Sequence, residues 1–385
     1  MSGWGAFLLV LPALYAVLMV RLRRSWQQLP TLLKQPSPTP THVADEPRFS
    51  VLVAARNEAL TLPCLLDDLA EQTLSAARFE VIVVDDDSTD DTAAIVQAAA
   101  ARSSFALRLI QLQAQPGAPT GKKAALQAAL SVARAPWVVC TDADCRVGHD
   151  WLSSYNTLIQ ADMAVQFVSG PVLLTGGNSL LNNLMGLEFA GLIGVGAASI
   201  GRGQPTMCNG ANLAYRRDAF AAVQGFAGNE HVASGDDEFL LHKLHAVFPG
   251  SILFLKTPHA IVRTSRPPTL RALLAQRVRW ASKWRHYQQK APQRLALLVL
   301  GANVSLFVSL LLLVGYPHLW LWASAAWVTK LSADAWFLTP VLRFFGRQRW
   351  LRYIGLLQVA YAPYALLTGL LGLRGDYVWK GRRTK

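Results

Sequence analysis

An α/β fold is predicted, with a mostly parallel sheet between layers of helix and apolar helices at both ends of the chain. Three observations predict it. From residue 49 onward, short apolar runs alternate with helix-length segments, which is the pattern of strand–helix–strand units. Those runs are continuously hydrophobic rather than alternating, as in a parallel sheet covered on both faces. Near each terminus lie apolar stretches free of charge for about 18 residues or more, long enough to cross a bilayer.

Residues 3–20 are uncharged and apolar and run straight into Arg21, Arg23 and Arg24. A cleaved signal peptide carries its charges ahead of the apolar core, so the reversed order predicts a retained anchor (residues 1–25) with the chain beyond it in the cytoplasm. Residues 26–47 hold Pro30, Pro36, Pro38, Pro40 and Pro47 and are expected to form an extended linker. The α/β domain is placed at residues 48–265. Its strands are expected at 49–54, 79–84, 107–111 and 137–140, and its helices at 60–71, 89–101 and 122–133. Residues 180–200 are apolar but hold Asn182, Asn183 and Glu188. As a span they would split the domain across the bilayer, so an internal or interface-touching helix is expected.

Residues 266–293 contain an amphipathic segment with Arg271, Arg277, Arg279, Lys283 and Arg285 beside Leu273, Leu274, Val278, Trp280 and Trp284. Such a helix lies in a membrane interface. In residues 294–385, spans are expected at 295–316 and 319–342, and a third apolar stretch at 353–373 is interrupted by Pro363. A re-entrant or interfacial course for that last stretch would return the basic tail, residues 380–385, to the cytoplasm, as the positive-inside rule favours. Lys330 and Asp334, at i, i+4 inside the second of these spans, are functional candidates as intramembrane ions and are equally placed to pair with each other.

Composition narrows the partners. The formal net charge is +13, yet the basic residues cluster at 343–352 and 380–385, beside the apolar stretches. That favours anionic lipid headgroups and the bilayer over nucleic acid. Four cysteines without C-x-x-C spacing are expected as free thiols on a reducing side. A transporter or scaffold would concentrate its ionisable residues in the spans, whereas most acids here lie in the α/β segment.

Candidate chemistry lies at strand ends and helix starts. Asp142 and Asp144 close an apolar run, where open α/β sheets bind ligands and where a hard cation such as Mg²⁺ shares one or two carboxylates with phosphates. Asp85 and Asp86 close another run. Lys122 sits at a helix N-terminus, a place for phosphate. Asp236, Asp237 and Glu238 open a helix, and one of them can be a general base. Gln276, Arg279 and Trp280 share a helix side, arginine suiting a diphosphate and tryptophan a sugar ring or the interface.

Taken in order, V-L-V-A-A-R-N-E (51–58), V-V-D-D-D-S-T-D (83–90), G-K-K-A-A-L (121–126), T-D-A-D (141–144), N-G-A-N-L-A-Y-R (209–216), S-G-D-D-E-F-L (234–240) and Q-R-V-R-W (276–280) resemble the membrane-bound family-2 glycosyltransferases. That branch includes ceramide glucosyltransferases and the cellulose, chitin and hyaluronan synthases. Asp87 stands where a glycine is frequent, and Asp236 where Glu is usual. The resemblance implies a GT-A fold, a Rossmann-like cytoplasmic domain held by N- and C-terminal transmembrane helices, in an integral protein of a bacterial inner membrane. It implies inverting transfer from a nucleotide-sugar, commonly UDP-linked, with Mg²⁺ or Mn²⁺. By position, Arg56, Glu58, Asp85, Asp86 and Lys122 would surround the nucleotide, Asp142 and Asp144 would hold donor and metal, and Asp237, beside Asp236, would be the base. Gln276, Arg279 and Trp280 would close over diphosphate and acceptor. The expected acceptor is a lipid or lipid-linked hydroxyl. A processive polysaccharide synthase is the rival reading, against which the few C-terminal spans argue.

Overall fold

The computed structural model describes residues 3–32, 46–112, 120–229, 232, 235–287, 289–372, 377–379 and 382–384. Most of the proline-rich linker, Ser234 and part of the basic tail lie outside the described residues. The strands are β1 Phe49–Ala55, β2 Phe79–Asp86, β3 Ala106–Leu112, β4 Trp137–Asp142, β5 Cys145–Arg146, β6 Phe167–Ser169, β7 Val172–Thr175, β8 Leu213–Arg216, β9 Ile252–Phe254 and β10 Val262–Ser265. The helices are α1 Phe7–Gln28, α2 Leu62–Ala70, α3 Thr92–Ala100, α4 Lys122–Val132, α5 Trp151–Ala161, α6 Leu180–Gly201, α7 Arg217–Ala222, α8 Asp236–Val247, α9 Leu270–Ser282, α10 Lys290–Gly315, α11 Trp320–Phe344 and α12 Ile354–Gly372. Two compact units form. The first comprises Met1–Leu29, Gly176–Thr206 and Arg266–Lys385, and the second Pro30–Thr175 and Met207–Ser265. The segment 176–206 therefore groups with the terminal helices rather than with the rest of residues 48–265.

The second unit is the α/β body. Its main sheet runs β3-β2-β1-β4-β8-β6-β9, and β5-β10-β7 form a smaller one. β3, β2, β1 and β4 are parallel, and β8 is antiparallel to both β4 and β6. β2 is buried along its whole length and β1 at all but one residue, which is why their sequences are mostly apolar rather than alternating. β2 nevertheless buries Glu80. Its carboxylate accepts from Ser50 Oγ at 2.7 Å, Arg134 N at 2.7 Å and Arg108 Nη2 at 2.9 Å, so a charge inside the sheet is fully answered. Asn212 plays the same part for the smaller sheet. It accepts from Trp151 Nε1 (2.9 Å) and Tyr155 OH (2.7 Å) and donates to Pro171 O and Ala260 O, both at 2.8 Å. A Cβ on Gly170 would lie 2.3 Å from Asn212 Nδ2, so only glycine lets this amide in.

Register fixes where the site must lie. Ala54 pairs with Asp142 on one side and with Val84 on the other, and Ala55 pairs with Asp85. The two acidic strand ends share one rim. They are not adjacent, however, because β1 separates them.

The first unit is helical. Among the described residues, three helices are long and apolar enough to cross a membrane: Leu180–Gly201, Lys290–Gly315 and Gln348–Gly372. α1, with three arginines in its second half, and α11, with Lys330 and Asp334, are not among them. α6 is buried over most of its length. Strands preceding α6 pair with strands that come after it, β4 with β8 and β7 with β10. The segments before and after α6 therefore pair within the same sheets. α6 packs closely: a Cβ on Gly186 would meet the Trp350 ring at 2.4 Å, and one on Gly194 the Val341 side chain at 2.8 Å. Such small residues bring helix backbones together.

The Lys330–Asp334 pairing expected from spacing is present, with Nζ–Oδ2 at 2.7 Å. It extends further. Tyr15 OH donates to Asp334 (2.6 Å), Lys330 to Gln358 (2.6 Å) and Gln358 to Asn303 (2.6 Å), so one polar chain links α1, α10, α11 and α12. At the tail, Arg382–Thr384 pairs antiparallel with Tyr377–Trp379.

Candidate active site

At the end of β1 the chain turns through Asn57, whose φ is 54°. Arg56 Nη1 donates to the Asp86 carbonyl and to Asp87 O at 2.7 Å, tying the ends of β1 and β2 together. Asp87 has φ 57°, the left-handed region where glycine is at ease and aspartate tolerated. Asp85 Oδ1 accepts from Ser88 N (3.1 Å), and both oxygens of the buried Asp86 accept from Gly121 N (3.2 Å). The acids of the β2 rim thus shape the loop and the start of α4. Glu58 Oε2 accepts from Thr61 Oγ1 at 2.6 Å, which places Glu58 at the head of α2.

Gly121 has φ 90° and ψ −179°, a conformation essentially reserved for glycine. It aims Lys122 across the rim. Lys122 Nζ lies 2.5 Å from Asp142 Oδ1 and 3.8 Å from Asp236 Oδ2. Desolvation works against its charge, but Asp142 and Asp236 outweigh it and drive the lysine pKa upward. Asp236 shifts up as well, chiefly by burial, with Lys122 opposing and the neighbouring Asp237 and Asp142 adding to the rise. Asp237 is held differently: Oδ1 accepts from Glu238 N and Oδ2 from Gly210 N, each at 2.8 Å. A Cβ on Gly210 would lie 3.0 Å from Lys122 Nζ and 3.5 Å from a carboxylate oxygen of each of Asp236 and Asp237. The backbone of the N-G-A-N segment therefore forms one wall of the site. Nothing in the sequence singles out Gly210 for that role, because it acts through its backbone N–H.

Asp142, Asp144 and Cys145 each offer a ligand atom, and these atoms lie within 4.8 Å of one another. Two partly exposed carboxylates suit a hard divalent cation that completes its shell with phosphate and water. The Cys145 thiol is buried, and burial together with Asp142 and Asp144 pushes its pKa well up, so it stands as a neutral neighbour of the two oxygens. The strand after this pair is pinned by Asp68, which accepts from Arg146 Nε and Nη2, both at 2.6 Å, and from Val147 N at 3.0 Å. Lys123, beside Lys122, donates to Asn229 O and to Val232 O (2.6 Å) and so holds the approach to α8. Neither Asp68 nor Lys123 stands out in the sequence, since their partners lie about 80 and 110 residues away. Cys64, Cys140 and Cys145 are free thiols.

The helical unit contains the Q-R-V-R-W segment, on α9. Gln276 Oε1 accepts from Arg277 Nη1 at 3.0 Å, and the Trp280 ring lies 4.2 Å beneath the Arg277 guanidinium. Arg279 is half-buried. Arg277, which helical spacing sets apart from Gln276, Arg279 and Trp280, is the buried member of the segment.

The chain matches the model of glycosyl transferase family 2 over residues 50–223 and that of glycosyl transferase family group 2 over residues 137–371. No curated protein sequence matches it. Among solved structures it resembles the mannosyltransferase PcManGT from Pyrobaculum calidifontis in complex with GDP-Man and Mn²⁺, with 21% identity, 95% of this chain and 97% of that one covered, and a TM-score of 0.58. It is also similar to S. aureus TarS 1–349 (17% identity, 87% and 95% covered, TM-score 0.44). A third likeness is to glucosyl-3-phosphoglycerate synthase from Mycobacterium tuberculosis (19%, 68% and 81%, 0.42). The mostly parallel sheet with its acidic rim is a GT-A fold, and with more than half of its length matched, the chain belongs to glycosyl transferase family group 2 and is a family-2 glycosyltransferase.

Proposed function

We propose that this chain transfers a sugar, with inversion, from a nucleotide-sugar to the hydroxyl of a lipid or lipid-linked acceptor at the cytoplasmic face of a membrane. The observation that carries the reading is the convergence of Lys122, Asp142, Asp236, Asp237 and the Gly210 N–H at the carboxyl end of the sheet. The likeness to a GDP-Man- and Mn²⁺-bound mannosyltransferase agrees with a nucleotide-sugar donor. The apolar helices α10 and 348–372 agree with membrane residence and hence with an acceptor supplied by the bilayer.

In this reading Asp142 and Asp144 hold Mg²⁺ or Mn²⁺, which when bound offsets charge on a diphosphate. Lys122, kept cationic by Asp142 and Asp236, binds phosphate oxygen. Arg56, Glu58, Asp85 and Asp86 line the nucleotide's place, the acids through the loop they shape. Transfer is one displacement. The acceptor oxygen bonds to the anomeric carbon as that carbon's bond to the diphosphate breaks, the electron pair leaves with the nucleotide, and the hydroxyl proton passes to Asp237. Two backbone N–H groups fix the Asp237 carboxylate, so its remaining lone pairs point in set directions, as general-base catalysis demands.

The test supplies membranes containing the protein with labelled UDP-glucose, UDP-galactose, UDP-N-acetylglucosamine and GDP-mannose plus Mn²⁺, followed by mass spectrometry of extracted lipids. A lipid carrying one added sugar is expected. A long polymer would overturn the lipid-acceptor reading, and no transfer from any donor would overturn the whole.

A further inference from the structure

Arg277 uses its entire guanidinium. Nη2 lies 2.8 Å from Glu188 Oε2, and Nε donates to Tyr364 OH at 2.9 Å and to Glu188 Oε1 at 3.3 Å. Nη1 donates to Gln276 Oε1 at 3.0 Å, and the guanidinium's face covers the Trp280 ring. Tyr364 OH in turn donates to Glu188 Oε1 at 3.1 Å. The Arg277 and Glu188 side chains are 6% and 9% exposed, so the pair is desolvated and each charge depends on the other. Three helices meet here: Glu188 comes from α6, Tyr364 from α12 and Arg277 from α9. Phe189, next to Glu188, packs against the same Trp280, with ring centroids 6.3 Å apart. Further along, a Cβ on Gly372 would lie 2.7 Å from Ala281 Cβ, so α12 is also seated tightly against the end of α9.

We propose that Arg277 is a positioning residue for sugar transfer: anchored by Glu188 and Tyr364, it presents Gln276 by a hydrogen bond and Trp280 by stacking, in the orientation that captures the donor. The inference rests on the reading, implied by the family resemblance, that Gln276, Arg279 and Trp280 close over the donor diphosphate and the acceptor. Arginine is required rather than lysine, because a lysine has neither the fork that spans Glu188 and Tyr364 nor the plane that lies on an indole. Glu188, which in the sequence looks like a polar blemish in an apolar helix, is the anchor of this arrangement.

A double-mutant cycle on the full-length protein in detergent tests it, with donor kcat/KM and thermal unfolding both measured. Arg277→Lys is expected to lower kcat/KM on the order of a hundredfold, the scale of a small misplacement of binding groups. In a Gln276→Ala/Trp280→Ala background the same substitution should lower it less than about threefold, since groups acting through one another are not additive. Tyr364→Phe, which removes one hydroxyl and keeps the ring, is the gentler version and should show the same loss of effect in that background. Equal losses in both backgrounds would make Arg277 merely structural and overturn the proposal, as would full activity of Arg277→Lys. If Gln276→Ala/Trp280→Ala itself transfers normally while Asp237→Asn is dead, α9 does not serve the donor. The positioning role then falls, while the Asp237 reading stands.

Discussion

Asp87 shows how one backbone angle decides which residues a motif admits. Its φ of 57° lies in the left-handed region that glycine adopts without strain and that a bulky side chain resists. Asp87→Gly should leave unfolding unchanged within ~0.5 kcal/mol, whereas the β-branched Asp87→Val should cost about 1–2 kcal/mol, both read by thermal or denaturant unfolding. Glu80 makes a second residue-level case. Burial opposes its charge, but the Arg134 N–H, Ser50 hydroxyl, Arg108 and the Arg134 guanidinium overcome that and hold its carboxyl below the usual glutamate range. A carboxyl depressed in the folded state contributes stability that is present above its unfolded pKa and lost as pH falls through its folded one. Glu80→Gln should therefore lower stability at neutral pH and flatten its fall on the acid side, as seen in unfolding midpoints across pH. Roles of this kind are legible only where chemistry and local sequence coincide. Asp142 and Asp144 announce themselves at a strand end. Gly210 and Arg277 do not, because their work depends on partners such as Lys122 and Glu188, about 90 residues away.

At the scale of elements, β1, β2 and β4 are readable because both faces are covered and most residues ahead of their polar ends are apolar. The smaller sheet is not, since β5, β7 and β10 are two to four residues long and show no period. α6 is legible as a helix from its unbroken apolar run, and the strands on either side of it pair with each other, β4 with β8. α11 carries a sharper lesson in energetics. Lys330→Met alone leaves Asp334 buried without its cation and should cost about 3–5 kcal/mol, while Lys330→Met with Asp334→Leu should recover a good part of that. Unfolding temperatures in detergent compare the two.

For the whole molecule, the acids of the α/β unit are assigned separate tasks, and substitutions of them should fail in different ways. Asp237→Asn should reduce turnover by at least about a hundredfold, the low end of general-base contributions, while UDP or GDP affinity stays within a few fold by calorimetry. Asp144→Ala should instead remove the Mn²⁺ dependence of nucleotide binding, measured by the same titration with and without the ion.

The return of the chain from α6 into the sheet has a consequence for biosynthesis. β8 is an interior strand of the seven, between β4 and β6, yet it leaves the ribosome only after α6 has been made. Until then β4 presents a bare, apolar edge to its surroundings, the kind of template on which other chains can assemble. The nascent protein is thus most vulnerable between residues 142 and 213. A product that stalls at residue 206 should sediment with aggregates, while one extended past residue 216 should not.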